Sequence, residues 1–341
     1  MINKKYNCIT SIGHYHPDTV IDNHFLSSLD IGSDAEWIES RTGLVERRSV
    51  MTRQNIMDLR HKKTSYNELK QNGNITSLPE LSRPALNMAL ERRILGGLKL
   101  SEIDMAVCGT STPDWDLPAN ACSIAGELGI QAPAFDINSA CSAFMVNLHF
   151  LSAMMASGKA HKAVVFNPER LTTRVDYSDR ANCILFGDAA TATIFESLEA
   201  AKGLTLVDSV VHSAPQDYAS VQCASEGVFS QNGKVVQKFA VTRTVEVTQE
   251  ILNRNNMSIS DVSYFIGHQA NLRMLMSSVE KLGLNPAQHW YNVDRFGNQG
   301  GTGAPSVLSQ NWHKLKHGDV VVISVVGAGL TWAAGLFRYF S

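Results

Sequence analysis

A short segment of this chain recurs in its second half. The stretch SEIDMAVCG at 101–109 aligns with SISDVSYFIGH at 258–268, so that Ser101 matches Ser260. In both copies a polar turn leads into a short apolar run, the pattern of a buried strand. A looser pair follows, in which KAHKAVVF and LFGDAATATIF resemble the later KLKHGDVVVI and VVGAGLTWAAGLF. Repetition of a strand-bearing unit predicts two similar halves.

Short apolar runs alternate with longer segments of helical periodicity, and this alternation is typical of an α/β fold. The runs are MAVCG at 105–109, KAVVFN at 162–167, ATATIFE at 190–196, YFIGH at 264–268 and DVVVISVVG at 319–327. The turn-prone SLEAAKG separates two strand signals and predicts halves of residues 1–200 and 201–341. Segment 51–84 is polar and contains an NGN turn, which indicates an excursion over the surface or a pocket mouth.

Composition excludes several classes of function. The 341 residues are 44% apolar and carry a formal charge of −2, which argues against a nucleic-acid partner. We expect a cytoplasmic protein with no membrane partner, because neither a signal peptide nor a membrane-spanning run is evident. The six cysteines show no CxxC pairing, so neither a disulfide framework nor a metal site is expected.

Cys141 is the first candidate catalytic residue. It follows the strand-like AFDIN and precedes the apolar helical stretch SAFMVNLHF. A cysteine at a helix amino terminus has a lowered thiol pKa, and its thiolate attacks thioesters. The alternative is a small buried core residue, which is the commoner place for a cysteine.

Two further polar residues follow Cys141 along the chain. His268 ends a buried strand, and Asn298 lies in the glycine-rich FGNQGGTG, whose backbone can approach a ligand closely. Taken singly, such residues are more often a structural histidine and a turn-forming asparagine. Together with Cys141 they supply a nucleophile and two polar donors.

Ordered motifs over nearly the whole chain resemble the β-ketoacyl-ACP synthase III family of the thiolase-like superfamily. They are WIESRTGLVERR, TSTPDWDLPA, AFDINSACSAF, SDRANCILFGDAA, NGKVVQKFAV, GHQANLR, DRFGN and VVGAGLTW. The resemblance implies a homodimer with the thiolase fold. In that fold, duplicated βαβαβαββ halves form a five-layer αβαβα sandwich with the active site between them.

The resemblance also implies a reaction. Cys141 would accept an acyl group from acyl-CoA or an acyl carrier protein, with the backbone N–H groups of Cys141 and Ala328 as oxyanion hole. His268 and Asn298 would assist decarboxylative condensation with a malonyl thioester, such as malonyl-ACP, or a β-ketoacyl thioester. No cofactor is implied beyond these thioester substrates.

Further positions match the substrate entrance of the family. Those matched to CoA binding are Trp37, Arg41, Arg180, Gly233 and Asn271. In the family the Trp37 and Arg180 positions sandwich the adenine ring. Lys238 and Arg273 fall where a basic patch would receive an acidic carrier protein. Alternatively, these two charges belong to an ordinary solvent-exposed surface.

Several positions depart from the family pattern or shape its acyl pocket. Ala143 replaces a glycine, Gln237 replaces a tunnel phenylalanine, and Ala328 replaces the central glycine of a GGG loop. Leu117 matches a gate into the partner subunit's tunnel, and pocket depth is expected to depend on Leu117, Met145, Met274 and segment 51–84. These departures favour a specialised paralogue in a secondary-metabolite or lipid pathway.

Two other functions remain open from the sequence. Acyl-Cys141 could pass its acyl group to an alcohol or amine, with His268 as general base. The chain could instead be a non-catalytic partner of an active homologue, which the intact trio disfavours. A degradative thiolase is excluded, since that reaction uses a second cysteine near the carboxyl end and none follows Cys223.

Overall fold

The computed structural model describes residues 5–224 and 227–341. The strands in this part of the chain are β1 Tyr6–Tyr15, β2 Thr19–Asp22, β3 Glu46–Ser49, β4 Met105–Cys108, β5 Ala134–Asp136, β6 Lys162–Arg170, β7 Asp188–Leu198, β8 Gly203–Ser213, β9 Val221–Cys223, β10 Phe229–Gln231, β11 Tyr264–Gly267, β12 Val320–Gly327 and β13 Thr331–Phe340. All five apolar runs predicted as strands form strands.

Nine of these strands form one sheet with a repeated order. From the centre outwards one arm runs β1, β7, β6, β4, β5, and the other runs β8, β13, β12, β11. In each arm the pairings are antiparallel until the parallel step, β6 with β4 or β12 with β11. The sequence repeat falls on β4 and β11, which occupy corresponding places. The division at residue 200 lies in the turn between β7 and β8; as a domain boundary it stays a prediction.

The α-helices complete the layers. They are α1 Asn23–Ser28, α2 Ala35–Thr42, α3 Arg53–Arg60, α4 Tyr66–Gln71, α5 Leu78–Glu91, α6 Asn120–Leu128, α7 Ala143–Ala156, α8 Arg180–Cys183, α9 Gly233–Arg254, α10 Leu272–Leu282, α11 Val293–Phe296 and α12 Gly303–Asn311.

Helix α7 contacts both arms of the sheet. The two arms are joined through only two residue pairs, Cys8 with Thr205 and Ile9 with Leu204. Helix α7 contacts β6 of one arm and β12 and β13 of the other, while α12 packs on β1 and β11. Because α7 is apolar on nearly all sides, it is stable only when covered from both sides. With α5 and α6 outside one arm and α9 and α10 outside the other, this is the predicted αβαβα sandwich.

Segment 51–84 is helical rather than irregular. It contains α3, α4 and the start of α5, and the side chains of Thr52, Ser65 and Ser77 cap these helices. Their few apolar side chains, including Ile56 and Leu69, are buried against residues from the 171–186 region. The polar residues that suggested an excursion over the surface or a pocket mouth are helix caps and solvent-facing positions.

No helix in residues 5–224 and 227–341 has the length and apolar character required to cross a membrane.

Candidate active site

Cys141, His268 and Asn298 line a single cavity of about 690 Å³. Each comes from the end of a different element: Cys141 from the turn before α7, His268 from the residue after β11, and Asn298 from the loop after α11. Ala328 follows β12 and lines the same cavity. The tertiary structure therefore brings together the four positions that the sequence assigned to catalysis and the oxyanion hole.

The turn that carries Cys141 is tightly constrained. Residues 140–142 form a 3₁₀ turn that leads directly into α7, and Ala140 has a positive φ of 45°. The end of β12 presses against this turn at Gly327. A Cβ at Gly327 would lie 2.7 Å from the carbonyl oxygen of Ser139 and 3.0 Å from the backbone nitrogen of Cys141. Only glycine permits this approach. Gly327 was not among the residues predicted from the sequence, although the GAG of VVGAGLTW was a signal.

The expected lowering of the Cys141 pKa is wrong. Burial and the nearby Glu169 carboxylate raise the pKa of the Cys141 thiol to about 12, outweighing the favourable backbone N–H of Cys141. The thiol is only partly exposed within the cavity, so the lost hydration of a thiolate exceeds what the following helix supplies. Cys141 is therefore a neutral thiol near pH 7.

Glu169 is a buried carboxyl beside this site that sequence analysis missed. It lies on β6 and is 0% exposed. Its oxygens accept hydrogen bonds from the backbone N–H of Ser111 at 3.0 and 3.1 Å, and one accepts from Gly301 N–H at 3.4 Å. Burial nevertheless raises the pKa of Glu169 to about 7. A glutamate at the end of the apolar run KAVVFNPE was the available signal.

His268 is neutral over the physiological range. Burial lowers the pKa of its imidazole to about 4, because a protonated ring would lose its hydration. A neutral imidazole carries one N–H donor and one acceptor nitrogen. It can therefore donate to a carbonyl oxygen near pH 7.

Asn298 is held at its backbone and at its side chain. Its N–H donates to Leu185 O at 2.8 Å, and its carbonyl accepts from Gly187 N–H at 3.0 Å. Its Oδ1 accepts the Gly300 N–H at 3.0 Å. Because the amide oxygen is engaged, Nδ2 is the side-chain group left to serve as a donor.

Buried Arg47 supports the loop that carries Asn298. Its guanidinium donates to the carbonyl of Ile184 and to Oδ1 of Asn23, and its Cγ would lie only 2.6 Å from a Cβ added at Gly297. Burial lowers the pKa of Arg47 to about 9.

The predicted entrance residues line the cavity or lie next to a residue that does. Trp37, Gly233 and Asn271 line it. Arg180 and Arg41 flank Trp37, with guanidinium carbons 5.0 and 5.8 Å from the ring centroid. The side chain of Asn271 also caps α10 by accepting the Met274 N–H at 2.9 Å. The basic residues Lys238 and Arg273 are exposed and do not line the cavity.

The residues predicted to shape the acyl pocket lie partly in the cavity wall and partly elsewhere. Gln237 and Met274 line the cavity, whereas no residue of segment 51–84 does. Ala143 is buried with its methyl directed at Gly109, so it adds no bulk to the cavity surface. Met145 is likewise a core residue on the other side of α7 and packs against Gly335. Leu117 lies outside the cavity of its own chain and is 87% exposed.

No cluster suited to a metal ion occurs among the described His, Cys, Asp and Glu residues. The described cysteines, Cys8, Cys108, Cys122, Cys141, Cys183 and Cys223, are all free thiols.

Comparisons with known proteins agree on a single class, the thiolase-fold condensing enzymes. The family model for 3-oxoacyl-[acyl-carrier-protein (ACP)] synthase III matches residues 135–215, and the model for its C-terminal part matches residues 252–339. The β-ketoacyl-[acyl-carrier-protein] synthase III of Clostridium perfringens strain SM101 is 33% identical, over 97% of this chain and 98% of its own. That of Coxiella burnetii strain CbuK_Q154 is 30% identical, over 98% and 99%.

A solved structure shows the same architecture. The crystal structure of 3-oxoacyl-[acyl-carrier-protein] synthase III from Aquifex aeolicus VF5 superposes with a TM-score of 0.85 at 28% identity, covering 98% of this chain and 100% of the other. The chain belongs to the β-ketoacyl-ACP synthase III family of enzymes.

Proposed function

We propose that this enzyme transfers an acyl group from acyl-CoA to Cys141 and condenses it with a malonyl thioester carried by acyl carrier protein. The products are a β-ketoacyl thioester, carbon dioxide and free CoA. The observation that carries the proposal is the meeting of Cys141, His268 and Asn298 in one cavity. The full-length similarity to β-ketoacyl-ACP synthases III supports it.

In the first half-reaction the Cys141 sulfur attacks the acyl-CoA carbonyl. The backbone N–H groups of Cys141 and Ala328 would stabilise the tetrahedral oxyanion. As the carbon–sulfur bond to CoA breaks, the thiol proton passes to the departing CoA sulfur. The net result is acyl-Cys141 and CoA as a thiol.

In the second half-reaction the malonyl carboxylate leaves as carbon dioxide, and its bonding electrons form an enolate. The His268 N–H and Asn298 Nδ2 would donate to the enolate oxygen. The enolate carbon then attacks the acyl-Cys141 carbonyl, and the Cys141 sulfur leaves and takes up a proton from solvent water. No cofactor is needed, because carbon dioxide release drives the condensation.

Three further assignments belong to the same proposal. The Trp37 and Arg180 pair would hold the adenine of CoA, and Lys238 and Arg273 would attract an acidic carrier protein. The enzyme would be a cytoplasmic homodimer in which exposed Leu117 enters the partner's tunnel. The changes at Gln237 and Ala328 support a specialised role in secondary-metabolite or lipid synthesis.

The test uses acyl-CoA and malonyl-ACP labelled at the free carboxyl carbon. We expect labelled carbon dioxide in step with β-ketoacyl product, and an acyl mass adduct on Cys141 when the malonyl substrate is omitted. Cys141→Ala should abolish both, whereas Cys122→Ala, an exposed cysteine outside the cavity, should change neither. An acyl adduct that transfers without release of carbon dioxide would contradict the condensation.

A further inference from the structure

Asn292 stands at the N-cap of α11, yet its side chain does not cap the helix. An asparagine at this position ordinarily accepts a backbone N–H from the first turn. Here its Oδ1 accepts from Gln299 Nε2 at 3.2 Å, and its Nδ2 donates to Ser306 Oγ and Gln310 Oε1, both at 3.0 Å. Both the oxygen and the nitrogen of the amide thus bond to other side chains, and α11 has no side-chain cap.

The backbone of Asn292 connects to a second glutamine. Its N–H donates to Gln269 Oε1 at 3.1 Å, and Gln269 Nε2 donates to Gly267 O at 2.8 Å. Gln269 directly follows His268, and Gln299 directly follows Asn298. Asn292 therefore bridges the two residues adjacent to the candidate enolate donors.

Both glutamines are completely buried, and Asn292 is only 5% exposed. Gln299 Oε1 also accepts from Ser306 Oγ at 3.1 Å and lies 2.9 Å from Nε2 of His16. Since an amide oxygen only accepts, His16 must present Nε2–H to it. The Ser306 hydroxyl also lies within hydrogen-bonding distance of Gly303 O, at 2.9 Å. A buried polar network of this kind holds its side chains in place and resists displacement.

The backbone is shaped to admit this network. A Cβ on Gly303 would lie 2.8 Å from the Cβ of Gln269, so glycine lets the start of α12 lie directly against that side chain. Ser306 is one turn further along α12 and also bonds Asn292.

We propose that Asn292 is a positioning residue that sets the separation of the His268 and Asn298 donors, acting through Gln269 and Gln299. This role rests on the proposed condensation. Two donors that share one enolate oxygen must both reach hydrogen-bonding distance at the same time, and small misplacements of such groups are costly. Loading of Cys141 uses different donors, the backbone N–H groups of Cys141 and Ala328, and does not depend on this separation.

The experiment compares Asn292→Ala and Gln299→Met with Asn311→Ala. This control removes an amide of the neighbouring α12 that donates to Val307 O and accepts from Lys314 Nζ, both at 2.8 Å, and takes no part in the network. Acylation of Cys141 is followed by mass, and condensation with malonyl-ACP by labelled carbon dioxide. For both network variants we expect kcat for condensation to fall about ten- to a hundredfold. Acylation and the KM for malonyl-ACP should stay within about twofold of wild type, and the double variant should be no worse than either single one.

A merely structural role would lower acylation and condensation together, and that parallel loss overturns the proposal. Unaltered condensation in a folded Gln299→Met variant also overturns it, while leaving the proposed function intact. A wild-type enzyme that acylates Cys141 without releasing carbon dioxide overturns both.

Discussion

The guanidinium of Arg180 lies over the indole of Trp37, 5.0 Å from the ring centroid, and donates to Gly32 O at 2.7 Å. Trp37 lines the cavity, so this cation–π contact lies at the cavity wall. A flat base that stacks on Trp37 would lie between the indole and the guanidinium and would contact both.

Removing Arg180 should therefore weaken binding of the nucleotide part of acyl-CoA and leave binding of the rest of the substrate unchanged. We expect Arg180→Ala to raise the KM for acyl-CoA about tenfold, because a cation–π contact contributes about 0.5–2 kcal/mol. The KM for an acyl-pantetheine, which has no adenine, should not change. Arg83→Ala, an exposed arginine bonded to Glu127 O, is the control. Equal losses with both substrates would contradict adenine binding at this pair.

The amide of Asn298 should be required for condensation and dispensable for loading. Asn298→Asp retains the size of the side chain and the acceptor for Gly300 N–H but has no N–H donor. We expect about a hundredfold lower condensation, the typical loss for one oxyanion-hole donor. Acylation of Cys141, measured by mass, should change by less than about threefold. A variant that condenses at the wild-type rate would exclude Nδ2 as an enolate donor.

The close packing at Gly327 predicts a strong effect from a single methyl. In Gly327→Ala the Cβ would collide with backbone atoms of Ser139, Cys141 and Ser142, so the nucleophile turn must shift. We expect acylation of Cys141 to fall at least tenfold and the free energy of unfolding to fall by about 1–3 kcal/mol. Gly97→Ala is the matched control, since a Cβ there meets no atom within 4 Å. Wild-type loading in Gly327→Ala would show that the turn tolerates displacement.

Buried histidines should make the fold sensitive to acid. Burial lowers the pKa of His289 to about 4, and its Nε2 has no hydrogen-bond partner among the described residues. The unfolded chain, with an ordinary histidine pKa near 6.5, binds protons first, so this stability is present above about pH 6.5 and is lost as the pH falls towards 4.

Replacing His289 with phenylalanine removes that proton uptake. Between pH 7 and pH 5 we expect His289→Phe to lose about 1–2 kcal/mol less free energy of unfolding than the wild type, measured by chemical denaturation. The buried carboxyls of Asp188 and Glu169, whose raised pKa values act in the opposite direction, are common to both proteins and cancel in the comparison. His313→Phe, on the surface, is the control. An identical pH dependence in the two proteins would contradict the assignment.

The Glu169 carboxylate should slow alkylation of the Cys141 thiol. Its carboxylate is one of the two causes that raise the thiol pKa, so Glu169→Gln should lower that pKa. At pH 8, above the Glu169 pKa of about 7, we expect iodoacetamide to alkylate Cys141 severalfold faster in the variant. At pH 6, where Glu169 is largely protonated, the two rates should converge. A constant ratio at both pH values would indicate that Glu169 acts on the thiol only by packing.

The sequence predicted the parts of the protein that depend on local pattern. The apolar runs at 162–167 and 319–327 form β6 and β12, because an uninterrupted apolar strand is stable only when both of its faces are covered. Strand β1 was not predicted: its Thr10 and Ser11 are polar, yet both are completely buried. Thr10 is accommodated by a hydrogen bond to Glu196 on the neighbouring β7, a partner far away in the chain.

In the candidate active site too, local sequence pattern was informative, whereas contacts between distant segments were not visible. The chain order of Cys141, His268 and Asn298 within their motifs was enough to nominate them, since nucleophile, donors and glycine-rich loop are chemical requirements visible in sequence. The sign of the Cys141 pKa shift was not visible, because burial and the charge of Glu169 arise only when β6 packs beside the nucleophile turn. Gly327 and Asn292 were missed for the same reason: one is defined by a backbone approach across the cavity and the other by hydrogen bonds among distant segments.

Sequence alone thus determined the α/β alternation and the internal repeat, which follow from residue type and spacing, and its family motifs nominated the candidate reacting groups. Tertiary structure decided their electrostatics and their relative placement. Hydration, charge proximity and close packing depend on which atoms meet, and in this protein the atoms that meet around Cys141 come from both arms of the sheet.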